Sequence, residues 1–100
     1  MDMANCLKSA QLLIDRRLPA AMRGDGHACY DLGVAYSTGT DGADYDLIEA
    51  HKWFNLAAVA GNTAAQAARA EIADDMSARE IAAAQRAARA ILATNQRRAA

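Results

Sequence analysis

The sequence predicts an all-α fold, a short solenoid of stacked antiparallel helical hairpins that ends in a capping helix. Hydrophobic residues make up 53% of the chain, but many are alanines, and the residues that favour strands are scarce. One short pattern recurs at a fixed spacing, which indicates a repeat architecture. Glycine and proline are confined to the first two-thirds of the chain, so the last third is predicted to be almost continuous helix.

Residues 1–23 are predicted to form a degenerate N-terminal helical part of a single domain that spans residues 1–100. Pro19 is expected to interrupt or kink the last turn of this part, because proline lacks a backbone donor. Asp2 stands where a signal peptide needs a positive residue, and Arg16 and Arg17 follow too short an apolar run. No stretch approaches the roughly 18 apolar residues of a membrane span. We therefore expect a cytoplasmic protein that is not inserted in a membrane.

The repeated pattern marks two helix boundaries. Residues 20–28 read AAMRGDGHA and residues 57–65 read AAVAGNTAA, a displacement of 37 residues. In both copies the glycine suits the left-handed conformation that ends a helix, and the next residue is a favourable N-cap. These residues are Gly24 with Asp25 and Gly61 with Asn62. Each copy therefore predicts a helix, a tight turn and a second helix.

Residues 24–62 are predicted to form one complete helical hairpin. An apolar stripe at helical spacing marks each of its helices, so these residues are expected to be core. The stripes are Leu32, Gly33 and Tyr36 on the first helix, and Ala50, Trp53, Phe54, Ala57 and Ala58 on the second. Residues 39–45 are rich in turn formers. Asp46 and Glu49 resemble a capping pair at the start of the second helix.

Residues 63–100 are predicted to hold a partial repeat and the capping helix. Ser77 and Glu80 form a capping-box pattern, and Met76 and Ile81 occupy the positions of a hydrophobic staple, so a helix is expected to begin at Ser77. Its apolar residues recur at helical spacing, whereas its arginines lie mostly elsewhere on the surface. The apolar set is Ile81, Ala84, Ala88, Ile91 and Leu92, and the arginines are Arg79, Arg86 and Arg89. A helix that packs by one face suits the closing unit of a solenoid.

Residues 28–39, ACYDLGVAYSTG, resemble the first helix of a Sel1-like repeat, whose pattern is Ala-x-Tyr-x-Leu-Gly-x-x-Tyr-x-x-Gly. The second helix is similar to the family at Asp46, Ala50, Trp53, Ala57, Ala58 and Gly61. The chain departs from the family by one residue inserted between Gly39 and Gly42, and by Ala43 in place of the usual valine. The resemblance, to a family related to tetratricopeptide repeats, implies a right-handed α-solenoid. It also implies a role in bacterial regulation, envelope processes or complex assembly.

Metal binding and catalysis are weaker interpretations of the sequence. His27 and His51 are too far apart for a common ligand spacing, and Cys6 and Cys29 have neither a CxxC spacing nor a catalytic signature. We expect these thiols to be buried and unreactive. The acidic residues of the hairpin connection invite a calcium interpretation, but Gly42 falls too early for an EF-hand loop. The acidic residues are Asp41, Asp44, Asp46 and Glu49. The sequence therefore predicts no enzyme, no metal and no cofactor.

Nucleic-acid binding is also disfavoured by the sequence. The formal net charge is −1, so the chain lacks the electrostatic footprint of a polyanion binder. Several arginines of the last third could bind phosphate, but cations toward the end of a helix complement its dipole. These are Arg86, Arg89, Arg97 and Arg98.

The predicted shape of the fold gives the remaining indication of function, because stacked helical hairpins form an extended groove that binds proteins or peptides. We expect a non-enzymatic adaptor that uses the first helix of the hairpin, from about His27 to Thr38. The candidate contact residues are His27, Asp31, Val34, Ala35 and Thr38. One alternative is a structural module that self-associates as a homodimer. Another is a small enzyme or metal-binding protein that uses the histidines and cysteines.

Overall fold

The computed structural model describes residues 14–99, and these residues form five α-helices and no strand. The helices are α1, described from residue 14 to residue 22, α2 (Gly26–Thr38), α3 (Leu47–Val59), α4 (Thr63–Ala73) and α5 (Ala78–Ala99). The all-helical prediction is therefore confirmed. Cys6 lies outside the described residues.

Helix α1 continues through Pro19, so the predicted interruption is wrong, whereas the alternative of a kink stays a prediction. A helix can pass through a proline at the loss of one backbone hydrogen bond and some steric cost. The carbonyl of Pro19 still accepts a hydrogen bond from the amide of Arg23 at 3.3 Å. Ile14 and Ala21, on either side of the proline, are both buried in the core. Their burial favours one helical piece over two.

The turns before α2 and α4 have the conformations that the repeated pattern predicts. Gly24 and Gly61 have φ angles of 94° and 96°, in the left-handed region where glycine is favoured. The Asp25 carboxylate accepts a hydrogen bond from the amide of Ala28 at 2.9 Å, and the Asn62 side chain caps α4 in the same way. Both predicted helix boundaries are confirmed.

The capping box before α5 is formed in full. The amide of Glu80 donates to Ser77 Oγ at 3.1 Å, and the amide of Ser77 donates to Glu80 Oε1 at 2.8 Å. At α3, Asp46 caps the amides of Ile48 and Glu49. The Glu49 carboxylate instead accepts hydrogen bonds within α3, so the predicted pair is one-sided.

Helix α3 is the centre of the fold and packs against α2, α4 and α5. Trp53 and Phe54 are each 2% exposed, which confirms the prediction that Trp53 is a packing residue. A Cβ atom built on Gly33 would lie 2.5 Å from two ring carbons of Phe54, so glycine is needed where α2 meets this ring. The ring of Tyr30 on α2 packs against the ring of Phe54, with ring centroids 5.6 Å apart.

Helix α5 packs by one face, as predicted. Ala84 and Ala88 are fully buried, and Ile91 and Leu92 are half-buried against the core. The arginines at positions 79, 86 and 89 are exposed. Among the described residues, no helix has the length and apolar character needed to cross a membrane.

Candidate partner-binding groove

A groove lies between α1 and α2 and consists of two adjoining depressions on either side of the Arg17 side chain. The loop-end pocket, of about 20 Å³, is lined by Ile14, Arg17, Asp31, Leu32, Ala35 and Asp41. The turn-end pocket, of about 460 Å³ and open to solvent, is lined by Arg16, Arg17, Ala20, Asp25, His27 and Ala28. Since Arg17 borders both, the two pockets follow one line along α2.

The floor of the groove belongs to the core of the protein. Ala28, Leu32 and Ala35 are buried residues spaced by three or four positions, which places them on one side of α2. Ile14 of α1 is also buried. These side chains are held by packing, so the floor is preformed and apolar. The charged residues stand at the rims, where they remain accessible to solvent.

An ion pair crosses the groove between the two pockets. Arg17 Nη1 lies 2.8 Å from Asp31 Oδ2, and the two side chains are 50% and 42% exposed. Ion pairs with this degree of exposure contribute about 0–1 kcal/mol to stability. The ion pair joins α1 to α2, and breaking it therefore costs little free energy.

The turn-end pocket has a basic rim. Arg16 and His27 are exposed, whereas the Asp25 carboxylate is engaged as the N-cap of α2. His27 also borders a third depression, of about 420 Å³, that continues to the turn before α4. The two turns pack closely, because a Cβ atom on Gly26 would lie 3.2 Å from that of Ala60.

The loop-end pocket has an acidic rim. Asp41 lies in the α2–α3 loop with a φ of 55°, the single non-glycine residue with positive φ among the described residues. Asp31 provides the second carboxylate. Beyond the pocket, burial raises the pKa of Tyr36, and the charges of Glu49, Asp46 and Asp44 raise it further. Acidic side chains therefore gather at this end of the hairpin.

The five predicted contact residues do not form one continuous strip. His27 and Asp31 line the groove and are accessible. Ala35 is 2% exposed and forms part of the floor, so it offers a partner little surface, and its role as a contact stays a prediction. Val34 packs partly buried against the core, and Thr38 is exposed and donates a hydrogen bond to the carbonyl of Val34. Neither residue lines either pocket of the groove.

Sequence reasoning missed the contribution of α1 and of the loop. Arg16, Arg17 and Ala20 were assigned to a degenerate helical part, and Asp41 was considered for calcium alone. The position of α1 along α2 brings them to the groove, and no local pattern encodes that position. A weak signal was present in Arg16 and Arg17, two adjacent cations on a helix whose residues Ile14 and Ala21 are buried in the core.

The residues of the metal and enzyme interpretation lie in different environments. His51 is 4% exposed, and burial together with the charge of Arg69 lowers its pKa. Cys29 is buried and its Sγ donates to the carbonyl of Ala21 at 3.4 Å. Burial and the charge of Asp25 raise the pKa of Cys29 to about 11, so this thiol is protonated at neutral pH. Within residues 14–99, no group of three His, Cys, Asp or Glu side chains is arranged to hold a metal ion.

The fold and the groove define a small all-α protein built around a helical hairpin. Comparisons with family models, curated proteins and solved structures give no match to the chain.

Proposed function

We propose that this chain is a Sel1-like repeat protein of bacterial type that acts as a cytoplasmic, non-enzymatic adaptor. In this proposal α1 to α4 are stacked as part of a right-handed α-solenoid, and α5 is its cap. The internal repeat supports the assignment, because Gly24 and Gly61 adopt the same conformation before equivalent helices. The family pattern also agrees with the packing, since Leu32, Gly33 and Trp53 are core residues.

The adaptor binds a segment of a partner protein in the groove between α1 and α2. The observation that carries this proposal is the preformed apolar floor between an acidic rim and a basic rim. Sites that bind ligands combine apolar surface with a few polar groups that set orientation. Interfaces between proteins likewise have an apolar centre and a polar rim. A peptide segment of mixed charge matches these features.

A capture experiment with a matched pair of variants tests the groove. Arg16→Glu reverses a charge on the groove rim, and Arg86→Glu makes the same change on exposed α5. We expect wild type and Arg86→Glu to retain the same protein from a lysate of the source cells, and Arg16→Glu to lose it. Calorimetry with that purified protein then measures the affinity of each variant.

Both variants change exposed arginines, so thermal unfolding should stay close to wild type. Equal capture by Arg16→Glu and Arg86→Glu would place the binding surface elsewhere. Capture by none of the three proteins would contradict the adaptor function.

A second candidate function is self-association through α1. Leu18 and Met22 are 40% and 39% exposed and lie one turn apart on this helix, so they share one face. In a homodimer this apolar face would be covered by a second copy. Sedimentation velocity over a range of concentrations tests this function. Leu18→Glu should shift such a dimer to monomer, whereas Val59→Glu, at a residue 61% exposed on α3, should not.

A further inference from the structure

The loop-end pocket has the lining of a site for one side chain. With Arg17 in place its free volume is about 20 Å³, room for about one water molecule, so another side chain can enter only where Arg17 leaves. Its floor is apolar, from Ile14, Leu32 and Ala35, and its rim carries the carboxylates of Asp31 and Asp41. Against these two negative charges the lining holds one positive charge, Arg17.

Arg17 is the lining residue that can leave without disturbing the core. The three floor residues are buried, whereas the Arg17 side chain is half exposed. Its guanidinium rests on Asp31 Oδ2 at 2.8 Å. The Arg17–Asp31 contact thus shows which kind of group fits the pocket: a cation whose aliphatic part lies on the apolar floor. Arginine and lysine both bury an aliphatic stem while the charged head stays at the rim.

The two carboxylates of the lining, Asp31 and Asp41, favour an approaching cation. Charges of one sign gathered beside a cleft attract the opposite charge and orient it during association. A guanidinium suits two carboxylates better than an ammonium does, because it is planar, less strongly hydrated and carries five donors.

We propose that the loop-end pocket receives an arginine side chain of the partner protein, which displaces Arg17 from Asp31 and places its methylene groups on the floor. This inference rests on the proposed adaptor function and specifies the chemistry of its partner. The exchange replaces one arginine–aspartate contact by another, so the electrostatic loss is small. The additional gain comes from apolar burial on the floor and from contact with Asp41.

Binding of N-acetyl-argininamide to the ¹⁵N-labelled protein, followed by NMR, tests the pocket directly. We expect the amide signals of Leu32, Ala35 and Asp41 to shift with this probe, and to stay unchanged with N-acetyl-norleucinamide, which has an aliphatic stem and no charge. Arg17→Ala removes the internal competitor. It should therefore bind the probe more tightly than wild type, by up to about fivefold.

Two further variants separate the pocket from general electrostatics. Arg23→Ala removes a positive charge just after α1, where Arg23 is exposed, without freeing Asp31, so it should leave the affinity near that of wild type. Asp31→Asn should weaken binding at least to the level of the uncharged probe. The indole signal of Trp53 reports whether each variant is folded, and Asp41→Asn replaces Asp31→Asn if that variant unfolds.

Equal effects of Arg17→Ala and Arg23→Ala would overturn the inference, as would undiminished binding by both aspartate variants. Capture of a partner through the groove with no response to the arginine probe would refute the arginine pocket alone. A responding probe without any captured partner would refute the adaptor function and leave the pocket standing.

Discussion

Acidification is expected to destabilise this protein through the buried imidazole of His51. The side chain is 4% exposed, and its Nδ1 has no hydrogen-bond partner among the described residues. Burial disfavours the charged ring, and the guanidinium of Arg69 on the neighbouring α4 adds a repulsive charge, so the pKa of His51 is lowered. The folded protein therefore holds this ring neutral at pH values where an exposed ring begins to take up a proton.

The sign and size of the effect follow from proton linkage. The unfolded chain binds a proton at His51 as the pH falls through about 6.5, whereas the folded chain does not until the pH reaches its lower pKa. The free energy of unfolding should thus decrease by up to about 1.4 kcal/mol per pH unit below pH 6.5. Above that pH the residue contributes no pH dependence, because both states are neutral.

Urea unfolding at a series of pH values, from about 7.5 to about 5, measures this dependence. His51→Leu removes the titrating ring and the unpaired nitrogen, so its unfolding free energy should vary less with pH than that of wild type. His27→Gln is the matched control, because His27 is exposed on α2. The difference between wild type and His51→Leu isolates one residue from the carboxylates that titrate in the same range.

An Arg69→Gln variant tests the second cause. The guanidinium of Arg69 is held by a hydrogen bond to Asn55 of α3, one turn after His51. Without this charge the folded His51 ring should take up its proton at a higher pH. On acidification, the loss of unfolding free energy should therefore stop at a higher pH than in wild type. The explanation fails if wild type and His51→Leu have parallel pH profiles, or if His27→Gln alone flattens the profile.

Three stability predictions follow from the packing and the caps, and urea unfolding tests each one. Gly33→Ala should lower the unfolding free energy by about 1–3 kcal/mol, because its Cβ would overlap the ring of Phe54; a neutral result would mean that the ring moves freely. Trp53→Ala should cost about 3–5 kcal/mol, and an unchanged Tm would refute its packing role. Ser77→Ala should cost about 0.5–2 kcal/mol, since Ser77 Oγ accepts from Glu80, while an equal loss in Ser37→Ala would show that any serine change has this effect.

The helix boundaries were predictable because each depends on residues within a few positions of one another. Asp25, Asn62 and Ser77 cap the helices that follow them, as the sequence indicates. The failure at Glu49 has a local cause within α3. Its carboxylate accepts hydrogen bonds from the Trp53 indole and the Lys52 ammonium, and these donors compete with the reciprocal capping bond.

The groove could not be predicted in the same way, because its residues come from separate elements. Arg17, Asp31 and Asp41 meet through the packing of α1 along α2 and the course of the next loop. No spacing in the sequence encodes these distances. The wrong prediction of an interruption at Pro19 has a related reason. Proline disfavours a helix locally, but the burial of Ile14 and Ala21 on either side of it favours a continuous helix, and that burial depends on tertiary packing.

Helix α1 is attached to the rest of the protein by two kinds of contact. Buried contacts hold the helix in place, and one exposed ion pair, Arg17–Asp31, is the contact that the proposed partner arginine replaces. Ala21 is fully buried and its carbonyl accepts the Cys29 thiol, and the amide of Asp25 donates to the carbonyl of Ala20 at 3.0 Å. None of these contacts involves the Arg17–Asp31 pair. Because exposed ion pairs contribute about 0–1 kcal/mol, we expect this pair to open while α1 stays in place. The proposed arginine exchange would then require the movement of one side chain and no local unfolding.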